Sequence, residues 1–583
     1  QFSRTAAARP PPSSARGRPA CAQMTRLAAL LLAALAARPA VASVSSTVAS
    51  ARRRAAPARW RSFGANRGCG PAEGELPASS AVPAATLEAC KASCANATGP
   101  TRCDTVEFLS ANGTCRLLHG PVSRGHASHG SECWQRLGED YTEVFVMLPL
   151  DIVSSSREIT DAAELERMFD GLQEAGIDGV MVDVWWGLTE LSPKVYDFKV
   201  YDQLFELARA RGWRVEVVAS FHQCGGNVGD ACDIPLPRFV VEEEGIWYED
   251  AAGVQNREYV SLFADDERLS GGRTPLDMYK DWLEAFASHY SADLGGLISE
   301  IMVGMGPAGE LRYPAYPSDR WSFCGVGEFQ AYGRLAHKSL LSAAEAASKP
   351  AWGAPPNRSS LGNYNSTPDE TEFFTTSFSS DAGRFFLDWY SGALKLHGHR
   401  VLALARSAVG GRTKVSGKVA GIHWWYDIPS HAAELTAGYY NTNGRDAYGE
   451  LGQIFAKEDA TLDFTCLEMR NTEQREECHS RPEEMVMQVA MATGSAGVEF
   501  SGENALLRYD RTAFAQVRSY KAHLGSFTYL RLRADLLEPQ SLARFAEFVS
   551  SLHSGSADAA LAPADLEANS SGEQAAQPPA LRL

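Results

Sequence analysis

Short apolar runs of strand length alternate with segments whose apolar residues recur every three or four positions, and this alternation fills residues 141–553. The first run is Val144-Phe145-Val146-Met147-Leu148. Behind it Leu165, Met168, Phe169 and Leu172 share one face of a predicted helix, which Gly176 would close as a C-cap. Residues 179–184 predict a second strand, 201–210 a second helix and 214–219 a third strand. Further strands are predicted over 298–303, 415–422, 462–467, 497–500 and 528–532. Eight strands alternating with helices predict an α/β fold, a (β/α)8 TIM barrel. A doubly wound open sheet is the alternative, but no Gly-rich phosphate loop follows the first strand.

The flanks read differently. No acidic residue precedes Glu73, whereas Arg recurs from Arg4 to Arg67. Met24-Thr25-Arg26, the apolar run 27–37 and the small residues Val41-Ala42-Ser43 read as a secretory signal peptide, the apolar run being too short to span a bilayer. The stretch before Met24 reads as a translated leader or a fragment end. The Arg- and Ala-rich sequence after the apolar run also fits a transit peptide, so plastid import by a bipartite signal stands beside secretion. Residues 1–68 are thus targeting and linker sequence. Residues 69–134 hold Cys69, Cys90, Cys94, Cys103, Cys115 and Cys133, an even and dense set that predicts a small disulfide-rich module rather than a zinc site, since paired CxxC spacing is missing. Triplets at Asn96, Asn112, Asn357, Asn365 and Asn569, within and beyond that module, are compatible with glycosylation. From residue 554 an Ala/Ser/Pro-rich tail without aromatic residues predicts disorder.

Composition narrows the partners. With 45% hydrophobic and 22% charged residues the chain can bury a large core, and a formal charge of −16 speaks against nucleic acid or an anionic membrane surface. A neutral substrate is the easier fit.

Candidate chemistry sits where polar residues interrupt the carboxyl ends of the predicted strands, the functional face of such a barrel. Asp183 lies inside the second strand run, and His222 follows the third. Glu310 follows the fourth, Lys418 and His423 lie in the fifth, Thr465 in the sixth, Glu503 with Asn504 and Ala505 beyond the seventh, and Arg531 in the eighth. Carboxylates with indoles and few cations suit sugars: carboxylates bind hydroxyls, and Trp185, Trp186, Trp424 and Trp425 could cover pyranose faces. Glycosidic cleavage needs one protonated carboxyl and a second carboxylate on the opposite face. Residue types alone do not say which two acids meet. By itself, His423 between Ile422 and Trp424 reads as a core histidine, and one Trp of each pair as barrel packing, because strand neighbours face opposite sides.

Longer motifs decide between these readings. Met147-Leu148-Pro149-Leu150-Asp151, the runs 221–230, 304–314, 418–426 and 464–469, and Gly502-Glu503-Asn504-Ala505 resemble β-amylase motifs in β-amylase order, across roughly residues 142–553. The resemblance implies an inverting exo-hydrolase that releases β-maltose from non-reducing ends of α-1,4-glucan, without metal or cofactor. It implies Glu310 as general acid and Glu503 as general base, with carboxyls about 6.5–9.5 Å apart to admit water. It implies sugar contacts for Asp183, His222, Asp230, Lys418, His423, Thr465, Asn504, Ala505 and Arg531, with Asp230 on a Gly-rich mobile lid and Thr465 on a smaller inner loop. Cys224 and Cys466 are expected as free thiols near the cleft. Leu507 and Ala420 depart from the family's usual proline and serine without removing a reacting group. Residues 69–134 resemble a PAN/apple domain, which implies a ligand of protein or carbohydrate for that module.

Overall fold

The computed structural model describes residues 60–70, 79–95, 103, 105–110, 113–118, 124–136, 141–226 and 232–554. Of the segment 1–68 expected to be targeting and linker sequence, residues 1–59 lie outside the described residues, as do Asp230 and the tail beyond residue 554.

Eight parallel strands close into a barrel: β1 (Glu143–Met147), β2 (Gly179–Trp185), β3 (Arg214–Ser220), β4 (Ile298–Val303), β5 (Lys414–Val419), β6 (Thr461–Phe464), β7 (Phe500–Glu503) and β8 (Leu524–Tyr529). β8 returns to β1 with Thr528 opposite Phe145, so no strand edge is left open. Helices follow the strands as the apolar spacing requires. In Ala162–Ala175, Leu165, Phe169, Leu172 and Ala175 are buried, Asp161 caps the start by accepting from Glu164 N at 3.0 Å, and Gly176 ends it at φ 80°. Each such Leu or Phe contributes about 1.5–3 kcal/mol by leaving water.

Strand existence agrees with the sequence reading, but registers shift for the later strands. β5 and β6 end at Val419 and Phe464, short of 422 and 467. β7 runs from Phe500 to Glu503 rather than over 497–500, and β8 starts at Leu524 rather than 528. Gly497 sits at φ 73° as the cap of helix Pro482–Ala496, which removes it from the strand. The apolar run that suggested β8 continues past the strand end into the loop bearing Arg531.

A layer of ionisable groups fills the barrel interior near the amino ends of its strands. Glu216 and Glu300 stand opposite one another on β3 and β4, both buried. Thr528 donates to Glu216 Oε2 at 3.0 Å. Burial, joined by the Glu300 charge, pushes Glu216 well above the usual carboxylate range, and burial also raises Glu300. A raised folded-state value contributes stability that is complete below the unfolded value and lost as pH rises. Glu216→Gln should therefore leave the melting temperature nearly unchanged at about pH 4 and raise it by about 2–4 °C at about pH 8, read by calorimetry.

Ahead of the barrel lies an antiparallel five-stranded sheet, ordered Trp60–Gly70, Arg124–Arg136, Thr105–Leu109, Thr114–Leu118, Ser79–Pro83. Helix Leu87–Ala95 is fastened to it by Cys90–Cys115, and Cys94 pairs with Cys103. These half-cystines join Val106 and Phe108 in a small core of their own. Among the described residues no helix is long and apolar enough to cross a membrane.

Candidate active site

Met147, Met181, Val218 and Met302, one from each of β1 to β4, pack inside the barrel as an apolar floor. Above them a cavity is lined by Asp183, His222, Lys418 and Arg531, with Ala308 and Gly309 on one wall. This is the carboxyl end of the strands, where loops can carry function while the barrel holds them.

The loop after β4 delivers Glu310. It passes through Ala308 at φ 53° and Gly309 at φ 76°. A side chain on Gly306 would meet the carbonyl oxygens of Glu310 and Arg312 at 2.4 and 2.7 Å, so only glycine fits there. Ala308 N donates to Glu258 Oε1 at 2.8 Å. The chain then forms a parallel bridge between Glu310 and Lys418, and Leu311 N donates to Lys418 O at 2.8 Å. Tyr439 ties the same two segments, donating its hydroxyl to Leu311 O at 2.9 Å and accepting from Ala420 N at 3.0 Å. Arg312 Nε donates to Glu310 Oε2 at 2.6 Å and so fixes one carboxyl oxygen.

Glu503 ends β7 and is fully buried. Lys418 Nζ, on β5, stands 2.6 Å from Glu503 Oε2. Burial pulls the Lys418 ammonium down, but Glu503, Asp463 and Glu310 together outweigh it and leave Lys418 above its ordinary value. Asp463, opposite Lys418 on β6, is itself pushed well up by burial and by the Glu503 charge. One cation thus joins both glutamates: its main chain bridges Glu310 and its side chain pairs with Glu503.

The remaining predicted residues divide by what already engages them. Asp183 Oδ1 accepts from Ser220 at 2.7 Å, Arg531 Nη1 is 3.7 Å from Oδ2, and burial raises the carboxyl. Burial lowers His222 to about 3 and His423 to about 4, so both rings are neutral around pH 7 and offer one donor and one acceptor each. Asp183 Oδ2, His222 Nδ1, His423 Nδ1 and Glu503 Oε1 are buried with no hydrogen-bond partner among the described residues. Buried polar atoms are normally paired, and these four, among others elsewhere in the fold, stand at or just beyond the carboxyl ends of the strands, where ligand hydroxyl groups would pair with them. Thr465 Oγ1 accepts from Gly421 N at 3.0 Å, which joins the loops after β6 and β5. Asn504 spends its amide on the scaffold, accepting from Leu530 N at 2.8 Å and donating to Leu530 O at 2.6 Å. Ala505 N points into the Glu468 carboxylate at 3.0 and 3.1 Å.

Two expectations need correction. Cys224 is not a free thiol: it is bridged to Cys232, with Cα atoms 5.6 Å apart, and their segments also pair through Cys224 and Ile234. Cys466 is free and buried, as expected. The alternation argument for the tryptophans does not apply, because in neither pair do both residues lie on a strand, and all four are buried. β2 ends at Trp185 and Trp186 starts a short helix, while Trp425 sits at φ 56° outside any strand. A second bridge, Cys324–Cys478, holds the loop after β4 to the loop after β6; Trp425 Nε1 donates to Cys324 O at 2.5 Å and Trp425 N to Cys478 O at 2.8 Å. Sequence reasoning missed Arg312, Tyr439, Asp463 and Glu468. Arg312 and Glu468 lie inside the quoted motifs, but nothing local distinguishes them from surface charges.

Acids, neutral histidines and aromatic walls at the carboxyl face of a (β/α)8 barrel are the equipment of a glycoside hydrolase. A profile of glycosyl hydrolase family 14 matches residues 145–558. The chain is 45% identical to β-amylase 2, chloroplastic, of Oryza sativa subsp. japonica over 74% of its own length and 80% of that protein. It is 48% identical to the rice β-amylase 1, chloroplastic, over 70% and 79% of the two chains. The crystal structure of the catalytic domain of a β-amylase from Paenibacillus polymyxa superposes with a TM-score of 0.60 and 29% identity, covering 71% of this chain and 99% of that one. The chain belongs to glycosyl hydrolase family 14.

Proposed function

We propose that the chain is an exo-acting α-1,4-glucan hydrolase that releases β-maltose with inversion, Glu310 protonating the glycosidic oxygen and Glu503 activating water. The observation that carries this reading is the convergence of both glutamates on Lys418, with unpartnered polar atoms of Asp183, His222 and His423 gathered at the same barrel end. An inverting site needs two carboxyls with different tasks. Glu310 has one oxygen fixed by Arg312, and Glu503 is buried beside an ammonium, so the two environments differ. Neutral His222 and His423 donate to and accept from sugar hydroxyls without adding charge. Lys418, Thr465, Asn504, Ala505 and Arg531 hold or contact the glucose units in this reading, and Asp230 does so from its Gly-rich loop. Incubation with soluble starch should yield maltose whose anomeric proton signal is initially β by NMR; a ladder of longer oligosaccharides, or maltose binding without turnover, would overturn it. The chloroplastic relatives from rice support plastid import as the destination over secretion.

A further inference from the structure

The loop that follows β7 is fastened from beneath by a carboxyl group that the roles above leave unused. Glu468, on the segment after β6, is 2% exposed. Its Oε1 accepts from Leu506 N at 2.6 Å, and both its oxygens accept from Ala505 N, at 3.0 and 3.1 Å. Those two residues come directly after Glu503 and Asn504. The same segment also reaches the strand end itself, because Leu467 N donates to Glu503 O at 3.1 Å. On its other side the loop is closed by Asn504 onto Leu530. Leu506, by contrast, carries its side chain outward and is 47% exposed. The backbone that aims Glu503 is therefore held between two neighbours, and on the β6 side the only side chain accepting from it among the described residues is Glu468.

We propose that Glu468 is a positioning residue for the hydrolysis: it fixes the backbone of residues 503–506 against the segment after β6 and so sets where the Glu503 carboxyl and the Leu506 side chain stand relative to the glucan. The inference rests on Glu503 being the base. Without an acceptor at 468, the Ala505 and Leu506 N–H groups lose their partners in a nearly dry site, and the loop gains freedom to move. A displacement of about 1 Å in a reacting group can cost about a hundredfold in rate.

Charge gives the proposal a second handle. Burial pushes Glu468 up to about 7, against the N–H groups of Leu506 and Ala505 and the Arg508 guanidinium, which favour the ion. The charged and titratable groups around it are Arg508, itself paired with Glu473 and Asp510, the Cys466 thiol, which burial pushes well up, and Glu503 at the head of the loop. A docked loop that binds the proton more tightly than a solvated carboxyl docks most firmly in acid, and docking weakens as pH rises through about 7. Glutamine keeps an acceptor oxygen and carries no charge at any of these values.

The test compares Glu468→Ala, Glu468→Gln and Glu503→Gln in the full chain, measuring kcat and KM on soluble starch from about pH 5 to about pH 8 together with melting temperatures. Glu468→Ala should lower kcat by about 10–100-fold with a smaller change in KM. Glu468→Gln should recover most of that loss, and its kcat/KM should decline less between about pH 6 and about pH 8 than that of the unaltered enzyme. Full kcat in Glu468→Ala beside an inactive Glu503→Gln would overturn the positioning role alone. So would a Glu468→Gln profile that superimposes on the unaltered one, which also decides the matter should the alanine variant fail to fold. Full rate in Glu503→Gln would instead remove the base assignment on which the inference stands.

Discussion

Glu503→Gln is expected to lower kcat on soluble starch by about 10²–10⁴-fold while maltose still binds, because an amide cannot take the proton of the attacking water. Size and shape are conserved, so the loop tied to Glu468 and Leu530 should stay in place. Glu503→Ala opens room at the same spot, and added azide should then restore part of the turnover by attacking the anomeric carbon from the base side. The product would be β-maltosyl azide, identified by mass and by NMR. Azide rescue would be absent in Glu310→Ala, where the missing group stands on the leaving-group side. Rescue in both variants, or in neither, would reject this division of roles.

The second large effect is expected at Lys418. Its ammonium is buried between Glu503, Asp463 and Glu310, so Lys418→Met removes the counter-charge of a fully buried carboxylate. Breaking one half of such a pair typically destabilises by about 3–5 kcal/mol. The double variant Lys418→Met/Glu503→Gln removes both charges of the 2.6 Å pair and should recover much of that stability in urea unfolding. Activity should be lost in both. Equal destabilisation of the single and double variants would show that Lys418 acts by packing and not as the partner of Glu503.

Much of the architecture was legible because it is written in short-range periodicity. The helix at Ala162–Ala175, with Asp161 before it and Gly176 after it, follows from residues within a few positions of one another. The later strands were displaced by several residues for a related reason. Residues 415–422 and 462–467 mix apolar and polar positions alike in the strand and in the loop beyond Val419 and Phe464, and periodicity cannot mark where pairing stops. Alternation also misled at the tryptophans, since the chain leaves β2 after Trp185 and Trp186 starts a short helix.

What the sequence determined by itself is the set of eight strand–helix units, their caps and the order in which cleft residues follow the strands, all properties of neighbours along the chain. Tertiary structure decided the rest: Lys418 as the link between Glu310 and Glu503, the Cys224–Cys232 and Cys324–Cys478 bridges, and the grip of Glu468 on the Glu503 loop. Except for the short Cys224–Cys232 link, these contacts join residues tens to more than a hundred positions apart. They depend on how the barrel closes and on which charges are shut away from water together, and neither quantity has a local signature.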